Sequence, residues 1–281
     1  MVALDYAEQH VAHCRRAVEM LYLASGATHP SDITADELER WLDAQPSPKT
    51  AANRRSYVGA YLDWCMGRGL VERNVARAVR TRRPRPGKGA DLVRQDQLSM
   101  VVARLERQHA ESGGDRRCTA LYRSLCYRFL WATMIRVSEL HSITWEEIDF
   151  DARTLRMRMD KARRADAIPL SDDAIAVLWQ LHAGHVPMPR NRGAGITYAF
   201  PLKISAHTLH ADFKAVGVDG RGAFHRLRKG AITACIEAGV PVHLLAKLSR
   251  HANVSVLVQS YYVASDPLLR DAQRALRLGV A

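Results

Sequence analysis

"AFHRLRKGAITACIEAG", residues 223–239, places four side chains able to carry positive charge in two helical turns and then turns apolar. They are His225, Arg226, Arg228 and Lys229. A helix that faces a polyanion starts basic and ends buried. An ordinary amphipathic helix does the same, so the stretch alone supports both readings. Positions three apart share a helical face, which pairs His225 with Arg228. The rest of the chain decides what that face meets.

The bulk charge favours a polyanion. Lys plus Arg number 41 against 29 Asp plus Glu, a net charge of +12. An anionic membrane would also attract this charge. However, no apolar run approaches the ~18 residues of a spanning helix. The opening "MVALDYAEQH" lacks the basic and apolar regions of a signal peptide, so the expectation is a cytoplasmic protein without a membrane partner. A chain of 281 residues suits two domains. The five cysteines (Cys14, Cys65, Cys118, Cys126 and Cys235) are odd in number and form no CxxC pair. That argues against disulfides and structural zinc. Cys14, Cys65 and Cys126 fall in apolar helical patterns and read as small buried hydrophobes. Neither the cysteines nor the twelve histidines show metal-ligand spacing, and no metal or cofactor is expected.

The first ninety residues read as helix. "ITADELERWLDA" opens with a capping box, Thr34 with Glu37, and Ile33 and Leu38 are placed for a hydrophobic staple. In "SPKTAANRRSYVGAYLDWCMGRG" Ser47 caps, Pro48 fits the first turn, and Gly67 or Gly69 stops the helix. Tyr57, Tyr61, Leu62 and Cys65 are spaced to share a buried stripe. Lys49, Arg54 and Arg55 lie early in that helix, as a solvated face or as phosphate contacts. "RTRRPRPGKGAD", residues 80–91, suits no packed element and marks the domain boundary. The expected division is a helical domain at 1–82, a basic linker at 83–91 and a mixed domain at 92–281. Arg82, Arg83, Arg85 and Lys88 make the boundary a candidate DNA contact.

In the second part, a helix is expected from about Gln95 to Gln108, and "CTALYRSLCYRFLWAT" reads as a buried helix. Leu155, Met157 and Met159 alternate as a strand that "AIPL" could pair with, "DKARRAD" being the turn. Helices return at "SDDAIAVLWQLH" and from Ser205 onward, with breaks near 217–222 and 239–241. There is no P-loop and no GxGxxG motif.

Four separated pieces then matter together: Arg136 in "TMIRVSELHSITWEEIDF", Lys161 in the turn, His225 with Arg228, and His251 ten residues before Tyr261 in "LAKLSRHANVSVLVQSYYVASD". Each alone has a plain structural reading, as a cap, a solvated lysine or a core residue. In this order they resemble the tyrosine recombinase family, also called phage-type integrases. Its catalytic residues run arginine, lysine, histidine-x-x-arginine, histidine or tryptophan, tyrosine. "RVSEL" with the following "ITWEEID" is close to the family pattern around Arg136, and "SPKT…YLDWCMGRGLVERN" resembles its N-terminal domain.

The resemblance implies a mostly α fold with a small β-sheet: a helical core-binding domain followed by a mixed catalytic domain. It implies double-stranded DNA as substrate, cut through a 3′-phosphotyrosyl link. Tyr261 fits the family spacing as nucleophile; Tyr262 is the alternative. Arg136 and Arg228 would hold the phosphate oxygens as fixed cations, since guanidiniums bind such oxygens bidentately. Losing one aimed donor of this kind costs roughly 3 to 4 kcal/mol. His225 would take or orient the phenolic proton, Lys161 would protonate the leaving 5′ oxygen, and His251 would bond the phosphate or the leaving side. Arg226 and Lys229 are further candidate DNA contacts. Neither ATP nor metal is required, and Glu139, Glu146, Glu147 and Asp149 read as helix surface or as support for Arg136. The resemblance further implies a monomer in solution that assembles as a tetramer on two DNA sites through a Holliday junction. An accessory DNA-bending or directionality protein is a further expected partner. "DPLLRDAQRALRLGVA" reads as a helix that covers its own core or docks on a neighbour.

Two departures stand out. "LSRH" has Arg250 where the family usually has glycine, and the usual threonines before the tyrosine are absent. They keep open a DNA-binding relative without activity. A type IB topoisomerase-like enzyme, which shares the catalytic residues, is the other alternative. Integration and excision of a mobile element is the preferred role.

Overall fold

Thr34 receives the backbone N–H of Glu37 at 3.2 Å, and the Glu37 carboxylate returns a bond to the Thr34 N–H at 3.0 Å. That reciprocal cap starts one of the helices of the N-terminal unit in this computed structural model. The structure describes residues 8–82, 92–112, 117–157, 166–184, 197–218, 224–251, 253–255 and 257. The chain divides into two compact units, Met1–Lys88 and Gly89–Ala281. The basic stretch 83–91, with Arg83, Arg85 and Lys88, lies outside the described residues.

The N-terminal unit packs α1 (Glu8–Ser25), α2 (Ala35–Asp43) and α3 (Pro48–Met66). Its core contains Leu21, Ile33, Leu38, Leu42, Val58 and Leu62. Ile33 and Leu38, on either side of the Thr34 cap, are both buried, as a staple requires. Ser47 caps α3 through the Thr50 N–H at 3.1 Å, with Pro48 following where a missing N–H costs nothing. The stripe expected from Tyr57, Tyr61, Leu62 and Cys65 is only partly buried. Leu62 and Cys65 are inside, whereas Tyr57 and Tyr61 are half-buried. Their polar ends favour the margin of the core, and the Tyr61 hydroxyl meets that of Tyr22 at 3.1 Å. A single 3₁₀ turn, Val75–Arg77, follows α3 in the stretch "RNVARAVR". Asn74 caps that turn and ties it to α3 by donating to the Gly59 carbonyl at 2.9 Å.

The second unit is built around α4 (Gln95–Glu111) and α5 (Arg117–Thr133). Side chains of Leu125, Tyr127, Phe129 and Leu130 are buried on several sides of α5, making it the spine of the core. Tyr122 donates to the Leu202 carbonyl at 2.9 Å. Arg123 and the Tyr127 hydroxyl both reach the buried Asp212, each at 2.8 Å. These bonds satisfy the polar groups that so apolar a helix takes inside.

After the one-turn α6 (Val137–Leu140) come β1 (Ile148–Asp149), β2 (Thr154–Met157) and β3 (Asp166–Pro169). They form an antiparallel sheet in the order β1-β2-β3, with Ile148 opposite Leu155 and Leu155 opposite Ile168. Leu155 and Met157 face the core while Arg156 is exposed. The β2–β3 pair is the one the alternation predicts. The two-residue β1 is an addition, too short for any period to reveal. Lys161 and Met159 lie in the β2–β3 connection, outside the described residues. The chain continues through α7 (Asp172–His182), α8 (Ala206–Lys214), α9 (His225–Glu237) and α10 (Val242–Leu248). Among the described residues, no helix is long and apolar enough to cross a membrane.

Helix α9 approaches the segment before α4 without a side chain between them. A Cβ on Gly230 would sit 1.8 Å from the Val93 carbonyl oxygen. The backbone N–H of Val93 donates to the Arg226 carbonyl at 3.2 Å. The interior glycine of the opening stretch is thus a contact surface, and it fixes where the basic end of α9 lies.

Candidate active site

Three segments converge at the start of α9. Helix α5 ends at Thr133, and Met134 then takes a left-handed backbone with φ 53°. That turn delivers Arg136 to the N-cap of α6. On the far side, α10 ends at Leu248, and Arg250 is also left-handed, with φ 52°. Such a conformation costs a non-glycine residue about 1–2 kcal/mol. Both turns lie next to one side chain. Arg228 donates from its two terminal nitrogens to the carbonyls of Met134 and Ser249.

Arg228 is 4% exposed, so its charge is held inside the protein against carbonyl dipoles. His225 and Arg228 lie three positions apart on α9, but their environments differ. His225, at the first turn, is exposed; Arg228, one turn on, is buried. Arg228 is therefore more than a guanidinium presented to a ligand. It clamps the segment carrying Arg136 to the segment carrying His251.

His251 is half-buried, and its Nδ1 lies 2.7 Å from the Ser249 hydroxyl. That hydroxyl already donates its hydrogen to the Leu245 carbonyl at 2.6 Å. A hydroxyl has one hydrogen, so Ser249 accepts from Nδ1–H, and Nε2 becomes the nitrogen that titrates. Burial pushes the His251 pKa down to about 4, helped by the positive charges of Arg228, Arg136 and His225. Four of the candidate residues, Arg136, His225, Arg228 and His251, thus share one electropositive field.

Arg136 is the solvent-facing cation of this group, its side chain 51% exposed. Glu139 holds it. One carboxylate oxygen accepts the Arg136 backbone N–H at 2.7 Å, and the other meets its guanidinium at 3.1 Å. The same oxygen accepts from Arg250 at 3.0 Å. Glu147 is used elsewhere, accepting the Thr144 N–H at 2.8 Å, and Asp149 accepts that of Ala152 at 2.8 Å. Sequence reasoning passed over Ser249, and it saw Glu139 only as general support. It noticed Arg250 by its departure from glycine but not by its partner.

The remaining candidates are scattered or outside the description. Lys161, Tyr261 and Tyr262 fall outside the described residues, as does the segment 266–281. Lys229 and Arg226 are half-buried on α9. In the N-terminal unit, Lys49 and Arg82 are exposed. Arg54 bonds to Gln45 and lies over the Trp41 ring at 5.5 Å. Arg55 donates to the Ala76 carbonyl at 3.0 Å. Both of those arginines therefore also serve the packing of their own unit.

Known proteins share this architecture. The chain is 27% identical over 270 residues to the tyrosine recombinase XerC of Mycobacterium tuberculosis (strain ATCC 25177 / H37Ra), covering 90% of this chain and 87% of that protein. Its fold matches that of the Tn1549 transposon integrase in complex with circular intermediate DNA, with a TM-score of 0.69 and 14% identity, covering 96% of this chain and 94% of that one. It also matches a lambda integrase tetramer bound to a Holliday junction, with a TM-score of 0.67 and 17% identity, covering 94% and 76%. The pattern of the phage integrase family is matched over residues 93–267, more than half of the sequence. With that pattern laid across the unit that gathers Arg136, His225, Arg228 and His251, the chain belongs to the phage integrase family.

Proposed function

We propose that the protein is a site-specific DNA recombinase that cuts and rejoins DNA through a 3′-phosphotyrosyl intermediate. The observation that carries this reading is the convergence of Arg136, His225, Arg228 and His251 on one site in a chain of this family. A phosphodiester under attack gathers negative charge on its non-bridging oxygens. Fixed cations in a partly dry site stabilise that charge more in the transition state than in the ground state. Arg136 supplies the accessible cation. Arg228, bonded to two carbonyls, contributes its field and keeps the site assembled.

The nucleophile is Tyr261, with Tyr262 as the alternative. Its oxygen forms a bond to phosphorus while the bond from phosphorus to the 5′ oxygen breaks. The phenolic proton passes to His225, and Lys161 gives a proton to the leaving oxygen. His251 has two usable states. Neutral, Nε2 accepts a hydrogen bond. An arriving phosphate raises its pKa, and the protonated ring then donates to that phosphate. The covalent link retains the energy of the broken bond, so a 5′-hydroxyl from a second strand can attack it and release the tyrosine. Neither ATP nor a metal enters this account.

The names of the relatives support the biological context. One is a transposon integrase on circular intermediate DNA, and another is an integrase tetramer on a Holliday junction. For this chain the corresponding reading is integration and excision of a mobile element by a tetramer on two sites. The unassembled protein is then a monomer in the cytoplasm, and an accessory DNA-bending or directionality protein sets the reaction's sense. The test is a nicked duplex carrying the crossover site from DNA flanking the gene. A covalent protein–DNA band on a denaturing gel is the expected result. Specific binding of that duplex without any covalent band would overturn the enzymatic reading.

A further inference from the structure

We propose that Arg250 is a positioning residue for strand cleavage, acting on Arg136 through Glu139. The inference rests on the recombinase reading above and concerns one carboxylate oxygen. Glu139 Oε1 lies 3.1 Å from a terminal nitrogen of Arg136 and 3.0 Å from one of Arg250. Its second oxygen is held by the Arg136 backbone N–H at 2.7 Å. The two guanidiniums differ in environment: the Arg136 side chain is 51% exposed and that of Arg250 only 4%.

Charge decides the consequence. One carboxylate facing Arg136 alone would neutralise it and tether it against an incoming phosphate. With Arg250 on the same oxygen, two guanidiniums share the one carboxylate, and its negative charge is divided between them. Because Arg250 is buried, it cannot leave to pair with solvent ions, and its hold on Glu139 is strong where screening is weak. Arg136, at the surface, is the member able to exchange carboxylate for phosphate. Arg250 thus fixes the carboxylate and lowers its grip on Arg136 without reaching the phosphate.

The backbone argues for the side chain. At φ 52°, position 250 suits glycine, and an arginine sits there against its conformational preference. If Arg250 only filled space, glycine would relieve the turn at no cost to chemistry. If it positions Arg136, glycine improves the turn and slows cleavage. The two accounts predict opposite things for a single substitution.

The experiment measures single-turnover formation of the covalent complex on the nicked crossover duplex at saturating protein. Duplex affinity and thermal unfolding are recorded in parallel. The variants are Arg250→Gly, Arg250→Lys, Glu139→Gln and the double Arg250→Gly/Glu139→Gln. The expected result is a roughly tenfold slower cleavage for Arg250→Gly, the middle of the range for directly coupled neighbours. Affinity should stay within about twofold, because Arg250 does not reach the DNA. Arg250→Lys should recover part of the rate. In the Glu139→Gln background, the Arg250→Gly effect should shrink to less than about threefold. Wild-type cleavage by Arg250→Gly overturns the proposal, as does an undiminished effect in the double variant. A rate loss that follows a fall in melting temperature, without rescue by lysine, overturns it too. Absence of a covalent band with the wild-type protein removes the recombinase reading itself, and this proposal with it.

Discussion

The Ser249 hydroxyl lies 2.7 Å from Nδ1 of His251 while giving its own hydrogen to the Leu245 carbonyl. This fixes the tautomer of an imidazole whose pKa is pushed down to about 4. An unfolded histidine titrates near 6.5. Between these values the unfolded chain binds more protons than the folded one, so stability falls as pH drops. His251 therefore leaves folding undisturbed above about pH 6.5 and weakens it progressively towards pH 4. Thermal unfolding between pH 7 and pH 4.5 should show less pH dependence in His251→Gln than in the wild type. Side-chain NMR of the free protein should place the His251 midpoint well below that of an exposed histidine. Saturating DNA should move it up.

Arg228→Ala should fail twice. It removes a buried cation and strands the carbonyls of Met134 and Ser249. Leaving a buried acceptor without its donor costs about 1–3 kcal/mol for each carbonyl. Strand cleavage should fall by at least about a hundredfold, because the site loses both a fixed positive field and the clamp that assembles it. Denaturant unfolding and the covalent-complex gel read the two effects separately. Much of the DNA affinity should survive, since Arg228 is buried with its terminal nitrogens on two carbonyls and the surface phosphate contacts stay in place. A binding loss as large as the cleavage loss would count against this division.

Gly230→Ala tests the helix contact directly. Its new Cβ would overlap the Val93 carbonyl, which is backbone and cannot rotate away. Overpacking of this kind costs about 1–3 kcal/mol, and the upper end is expected here. A denaturation midpoint equal to that of the wild type would show that α9 can withdraw from Val93 without penalty.

The adjacent tyrosines are separated by two variants. Tyr261→Phe should abolish the covalent DNA adduct, whereas Tyr262→Phe should retain it. The reverse pattern would keep the chemistry and move the nucleophile by one position.

DNA affinity should fall steeply with salt. The net charge is +12, and a protein making 6–10 phosphate contacts loses about 10³ to 10⁵ in affinity between 50 and 200 mM salt. Fluorescence anisotropy across that range measures the slope; a flat profile would contradict a phosphate-dominated interface.

Much of this architecture was readable where the signal is local. The Thr34–Glu37 cap, the Ser47–Pro48 start and the Leu155–Met157 alternation each depend on neighbours within a few positions. The order from Arg136 to Tyr261 was readable as a family pattern. What escaped was tertiary. Arg228 and His225 share a face by spacing, but spacing cannot say that the face passes from solvent into the core within one turn. Gly230 looks like a defect in a helix until Val93 is brought against it. Arg250 stands out as an unusual replacement for glycine, yet its carboxylate partner is 111 residues away in the chain. The two-residue β1 has too little length to carry a pattern.

The Arg228 clamp has a consequence for synthesis. Its acceptors lie 94 residues before it and 21 residues after it in the chain. While a ribosome is still making the protein, Arg136 emerges first and Arg228 well after it, and the clamp stays open until Ser249 has cleared the exit tunnel. The pocket is therefore completed only after Ser249 has emerged, and a chain cut short of that residue carries basic surface without the assembled means to break a DNA strand.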